Sequence, residues 1–449
     1  MKIAQALGDF IAKTSSQDLP PEAVEAAKDR ILDLFGVALT GYQLGEHKHL
    51  LNVVLKDGKP ESTVIGEGIK VPCNVATLLN GSMANLFIAD GSRAAAGHPS
   101  AVVVPPSLAV AERERASGMD LILAVVLGYE AMIRVGSAML PGCAQRGFHP
   151  TSVTGPIGSA AAAGKLLKLD PARMAQAISV AADLGAGFIA GFKAGDYLAE
   201  LQAARASEAG VLAVFLAQDG FKGYENFFEE AYFRAYADKN SPELVTRDLG
   251  NQFAIVNTYV KQHWACGHLL APIDCTLELL RKHRVRASEV DRVDIHTYSA
   301  AFTTEILDPA TGKDAGFSAP FIVSLLLLEG AILPASFTDE KVKDPRVQDL
   351  MKKVHTHVDP ESDKLYPRKR RVTVEILTRD GKKYSERVEA FKGEPDWPLT
   401  RKEIQAKFTS LASPVLGAQG AQAVIDYLSK LEQKGSIQDL GALLKRRER

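Results

Sequence analysis

The stretch from Arg146 to Leu167, RGFHPTSVTGPIGSAAAAGKLL, restricts the fold more than any other part of the chain. After a His-Pro pair, small residues stand at nearly every position and leave no polar stripe. A helix without a polar face is buried on all sides, and side chains this small let neighbouring helices come close. Other helices must therefore surround it. His149 is expected on a rigid, buried helix start, where unpaired N–H groups and partial positive charge suit a carboxylate or phosphate. The same pattern also describes a tightly packed helix with no chemical duty.

The first half of the chain supplies the surrounding helices. AVEAAKDRILDLFGVALTGY follows Pro20 and Pro21, with Gly41 as the expected stop. Further helices are expected over 74–87, 106–116, 119–139, from Asp170 with Pro171 at the first helical position, and over 201–220. The character changes after about residue 250. VDRVDIHTYS and RVTVEILTRDGKKYSERVEAF alternate with period two, and Asp380-Gly381 marks a hairpin turn. FSAPFIVSLLLLEGAI reads as helix, and DPRVQDLMKKVHTHVD as helix ending in an extended piece. The expected fold is mainly α. A large helical domain over 1–255 is completed by 396–449, and a smaller α+β lid domain over 256–395 is inserted before the C-terminal helices. At 449 residues, two domains are the natural division.

A formal net charge of -1 offers no surface for nucleic acid, and the basic run Arg368 to Arg371 reads as the solvated start of a strand. Four cysteines without a CxxC favour a reducing compartment over a disulfide framework. The N-terminal stretch is an amphipathic helix without the apolar run of a signal peptide. The apolar stretches at 101–110 and 319–328 are too short or too Pro-interrupted to span a bilayer. The expectation is a cytoplasmic protein with neither membrane nor nucleic acid as partner.

Two more stretches carry chemistry. Asp90, Gly91, Ser92, Arg93 and His98 gather an acid, a hydroxyl, a cation and an imidazole in a Gly/Ala-rich loop. Lys261, His263 and His268 cluster where helical character gives way to mixed character. HExxH, CxxC, an EF-hand loop, GxGxxG and a P-loop are all missing from the sequence. The expected chemistry is cofactor-free acid/base work.

The three stretches match the MmgE/PrpD family in order and spacing, most specifically through GFHPTSVTGPIGSAAAAGKL, with D-G-S-R, GHPSAVVVP and K-x-x-x-x-C-x-H beside it. The chain resembles a divergent branch of that family, whose members include 2-methylcitrate dehydratase, cis-aconitate decarboxylase and iminodisuccinate epimerase. The resemblance implies a helical domain with an α+β lid, a homodimer, a carboxylate substrate, and no metal or organic cofactor. It implies catalytic roles for His98, His149, Asp90 and Lys261, and substrate-binding roles for Ser92, Arg93, Thr151, His268 and Lys193. His98 and His149 would form the acid/base pair, Lys261 and Arg93 would hold carboxylates, and Asp90 would orient a histidine or share a proton. The chain departs from the family at Asn85, Ile88, Gly91 and Leu270. The usual lysine before the L-H-x-G-x-A-A-R helix is missing in register, where Asp196 lies nearest and Lys193 could substitute only with a shift. The implied activity is a lyase dehydrating an acid similar to 2-methylcitrate. The alternatives are a cis-aconitate-type decarboxylase, an iminodisuccinate-type epimerase, and a non-catalytic carboxylate-binding or scaffold protein.

Overall fold

The computed structural model describes residues 2–54, 57–86, 88–92, 97–192 and 198–447. Among them 60% are helical and 8% lie in strands, which makes the fold mainly α. The chain divides into two compact units, the first comprising Met1–Ala190, Tyr197–Tyr259 and Thr400–Arg449, the second Gly191–Asp196 and Val260–Leu399.

The first unit begins with α1 (Ile3–Lys13), α2 (Pro21–Leu44), α3 (Lys48–Val53), a two-stranded ribbon of β1 (Ser62–Thr63) and β2 (Lys70–Val71), and α4 (Cys73–Ser82). It continues with α5 (Pro99–Arg113), α6 (Gly118–Met139), the short α7 (Gly142–Gln145), α8 (Pro150–Leu166), α9 (Pro171–Asp183) and α10 (Leu198–Gln218), then two single turns, α11 (Phe233–Tyr236) and α12 (Glu243–Thr246). α8 is the hub. Every residue from Pro150 to Gly164 is buried, and α5, α6, α9 and α10 all pack against it. Placing a leucine at Ala161 would overfill this core, at a cost of about 1–3 kcal/mol. α6 is long and apolar enough to cross a membrane, but 89% of its most apolar window is buried in the fold, as in a core helix.

Two helix boundaries differ from expectation for physical reasons. Gly41 does not stop α2, which runs on to Leu44 with Gly45 as its left-handed cap. A Cβ on Gly41 would lie 2.4 Å from the Met83 carbonyl oxygen, so this glycine serves close packing. α5 starts at Pro99 rather than near residue 106 and continues through Pro105 and Pro106. The Ala101 carbonyl, to which Pro105 has no N–H to give, lies 3.3 Å from the Ser207 hydroxyl of α10, which shares its proton with the Ala203 carbonyl at 2.9 Å.

The second unit contains α13 (Leu270–His283), β3 (Val290–Thr297), α14 (Gly312–Ala315), α15 (Ala319–Glu329), α16 (Asp339–Val342), α17 (Pro345–Met351), β4 (Val354–Val358), α18 (Pro360–Leu365), β5 (Val372–Thr378) and β6 (Lys383–Val388). Its sheet has the order β4-β3-β5-β6. β3 pairs parallel to β4 and antiparallel to β5, and the β5–β6 hairpin turns at Asp380-Gly381. α13 covers β5 and β6. The chain then returns to the first unit with α19 (Arg401–Ser429), which packs along α2, and α20 (Leu440–Leu443).

Candidate active site

His98 and His149 occupy the same place on two helices. Each is the N-cap residue, and each is followed by a proline at the first helical position, of α5 and α8 respectively. The two helix starts are joined directly: the His98 backbone N–H donates to Thr151 Oγ1 at 3.1 Å, and Thr151 is fully buried. The sequence separation of the two motifs is thus closed by one hydrogen bond.

His98 is half-buried, and its Nδ1 lies 2.6 Å from the Asp90 backbone carbonyl. A carbonyl can only accept, so Nδ1 carries the proton and, in the neutral ring, Nε2 carries the lone pair. The Asp90 carboxylate is occupied elsewhere. Oδ1 accepts the Ser100 N–H at 3.0 Å and caps α5, Oδ2 accepts the Tyr129 hydroxyl at 2.6 Å, and Arg30 Nε stands 3.9 Å away. Asp90 is fully buried, and burial first, then its charge, holds the Tyr129 phenol well above its ordinary range. The acid expected to orient a histidine touches His98 through its main chain.

The loop carrying Asp90 is anchored on three sides. Gly91 and Tyr259 exchange backbone hydrogen bonds of 3.1 and 2.9 Å. Arg30 donates to the hydroxyl and the carbonyl of Thr258, both at 2.9 Å. Lys407 of α19 donates to the Ile88 carbonyl at 3.0 Å and pairs with buried Asp33 at 2.6 Å. Burial pushes the Asp33 carboxyl up and the Lys407 ammonium down, each effect opposed by the partner's charge.

His149 is 3% exposed. Its N–H donates to the Gly187 carbonyl at 3.0 Å; a Cβ on Gly187 would meet Ser152 at 2.7 Å, so only glycine lets this segment pass so close. Its Nδ1 lies 2.8 Å from Gln202 Oε1 and 2.7 Å from Ser152 Oγ. Burial lowers the ring's pKa to about 4, and the Gln202 bond opposes that shift. The Ser152 and Val153 N–H groups both turn onto the His149 carbonyl, so these donors are not directed at a ligand as the sequence had led one to expect.

Of the other expected site residues, Ser92 is buried with its N–H on the Gly97 carbonyl at 3.0 Å. Arg93 and Lys193, with Asp196, lie outside the described residues. Lys261 and His268 belong to the second unit. Lys261 is buried, with Nζ 3.2 Å from the Ala265 carbonyl. His268 Nδ1 lies 2.9 Å from the Tyr298 hydroxyl; burial, then the charges of Arg370 and Lys261, lower its pKa to about 3. Arg370, expected to be solvated, is buried instead. It lies 5.5 Å over the Phe391 ring and 3.8 Å from buried Glu394. His263 stands 3.5 Å from Asp274, whose other oxygen accepts the Lys392 N–H at 2.7 Å.

The first unit therefore brings together Asp90, His98, His149 and Thr151, and the second brings together Lys261 and His268. Gln202, Ser152, Tyr129 and Arg30 join the first group without having been singled out as site residues. A lone glutamine among the alanines of LQAARAS was the one available signal for Gln202. Among the described residues, no three His, Cys, Asp or Glu side chains gather as metal ligands.

Residues 5–244 match the MmgE/PrpD N-terminal domain and residues 263–433 the MmgE/PrpD C-terminal domain. The chain belongs to the MmgE/PrpD family. Among curated relatives, this MmgE/PrpD protein is 27% identical to the cis-aconitate decarboxylase-like protein oryM of Aspergillus oryzae, over 98% of this chain and 97% of that one. It is 28% identical to the cis-aconitate decarboxylase of Mus musculus, over 99% and 93% of the two chains. It is 26% identical to that of Homo sapiens, over 95% and 91%.

Proposed function

We propose that this protein is a lyase that decarboxylates a small unsaturated polycarboxylic acid of the cis-aconitate type. The observation that carries the reading is the pair of imidazoles on joined helix starts. Each has Nδ1 held by a neutral oxygen, so Nε2 is the atom through which each would transfer a proton. The full-length likeness to cis-aconitate decarboxylases supports this reaction over others open to the family.

The reaction would proceed in two steps. The bond to one carboxylate breaks and CO2 leaves; the electron pair shifts through the adjacent double bond toward the carbon next to a remaining carboxylate. An imidazolium Nε2–H then gives its proton to that carbon, and the ring regains a proton from water. The intermediate carries added negative charge, which cations stabilise most in a water-poor site. The carboxylate-holding role of Lys261 belongs to this proposal.

Dehydration of a 2-methylcitrate-like acid is the second reading. Two proton-transfer rings, rather than one, are what removing a proton and protonating a departing hydroxide require. Incubation with cis-aconitate and with 2-methylcitrate in parallel, in deuterated buffer and followed by proton NMR, tests both. CO2 loss from the first supports the leading reading. Water loss from the second alone replaces it, solvent exchange without product points to an epimerase, and binding without any reaction to a non-catalytic protein.

We extend the proposal to a homodimer. Leu198, Leu201 and Leu212 are 45%, 38% and 40% exposed along one stripe of α10, a face that a second copy would cover. A monomer mass by light scattering would remove this part of the proposal.

A further inference from the structure

His149 is oriented by an amide, and the geometry fixes which way that amide points. Gln202 Nε2 donates to the Phe188 carbonyl at 3.1 Å, so Oε1 is the atom facing the ring. Two lone pairs cannot face each other at the 2.8 Å between Oε1 and Nδ1, so a proton lies between them on Nδ1. The Ser152 hydroxyl completes a triangle. It lies 2.7 Å from Nδ1 and donates to the same Oε1 at 3.1 Å, so the ring N–H is shared between two neutral acceptors.

We propose that Gln202 is the positioning residue that sets His149 as its Nδ1–H tautomer, an orientation in which the enclosed ring stays uncharged in the resting protein; the imidazolium that protonates carbon in the decarboxylation is then His98, and His149 is the ring that would act as base in the dehydration. The inference rests on the reading above that His149 serves the reaction, and it assigns the two rings different duties. A carboxylate in this place would stabilise an imidazolium, as the acid of a catalytic triad does. An amide holds the same geometry and supplies no charge.

The ionisable groups on the four helices packed around α8 are His98 at the start of α5 with Glu112 and Arg113 at its end, Asp120, Tyr129 and the Glu130–Arg134 pair on α6, Arg173 and Asp183 on α9, and Glu200 with the Arg205–Glu208 pair on α10. The influences resolved on His149 are burial first and the Gln202 bond second. The ring's neutral state is thus set by its enclosure, which outweighs the opposing bond from the orienting amide.

The test is a pH titration of the full-length protein labelled with 15N-histidine, assigned with His149→Gln, alongside the pH profile of kcat/KM. The expected wild-type result is a buried ring protonated at Nδ1 that stays neutral to below pH 5. Gln202→Glu should raise that ring's midpoint by about one unit or more, because a carboxylate at this distance favours the charged form, and should move the acidic limb of the rate profile the same way. Gln202→Leu should lower kcat more than it changes KM. An Nε2–H ring in the wild-type protein, or an unmoved midpoint in Gln202→Glu, overturns the assignment; the wild-type spectrum decides even if the variants fail to fold. A midpoint that moves while the rate profile stays fixed upholds the positioning role of Gln202 and overturns the part played by His149 in the reaction.

Discussion

Two helix starts with the same His-Pro sequence end in different surroundings. The ring at α8 is almost fully enclosed, held by an amide and a hydroxyl, and loses its charge to burial. The ring at α5 is half-buried and held by the main chain of a loop whose carboxylate caps the helix behind it. The dipeptide sets where a histidine stands on its helix. What the histidine can do is set by the element that crosses over it, α10 in one case and the 88–92 loop in the other.

The contrast is broken most severely by removing the enclosed ring. His149→Gln should lower turnover by about 10²–10⁴-fold, the range for a lost acid/base group, with the fold intact by circular dichroism. Near-normal rates would return His149 to a packing role. Asp90→Ala attacks the other start. It strands the Ser100 N–H and the Tyr129 hydroxyl and takes the nearby carboxylate away from buried Arg30, and should cost about 3–5 kcal/mol in denaturant unfolding. A loss below 1 kcal/mol would mean that the loop is held chiefly by its backbone pairing with Tyr259.

Acid should weaken the enclosed ring's contribution. His149 has a folded pKa of about 4 against an ordinary 6.5, so between those values the unfolded chain binds a proton that the folded ring refuses. Stability must then fall as pH falls through that window, by about 1.4 kcal/mol per pH unit for such a ring. His149→Gln should reduce that slope; an unchanged slope would place the acid sensitivity elsewhere, His268 being the next group to examine. The smallest effect belongs to the link between the two starts. Thr151→Val leaves the His98 N–H without its acceptor and should cost about 1–3 kcal/mol, with kcat lowered more than KM is raised. An unaltered kcat would show that the two rings keep their places independently.

The sequence made the helices and the hairpin readable because their signals are local: apolar period, proline at first turns, Asp-Gly between alternating strands. The two His-Pro starts were visible for the same reason. What completes them was not. Gln202 reaches His149 across 53 positions and Lys407 reaches Ile88 across 319, distances over which one sequence carries no pairing information. Asp90 was legible as an important acid, yet a residue letter cannot say whether the carboxylate or the carbonyl faces a ring. Arg370 misled in the opposite direction. Its basic neighbours suggest a solvated run, whereas it turns inward over Phe391.

The ammonium of Lys407 beneath the Ile88 carbonyl has a consequence for biosynthesis. A nascent chain that has emerged only as far as α18 already carries both imidazoles, their prolines and the orienting amide, but it lacks the helix that steadies the loop behind His98 and neutralises Asp33. Catalytic competence should therefore arrive late in translation, and a product truncated before residue 400 should be inert even where its earlier helices have folded.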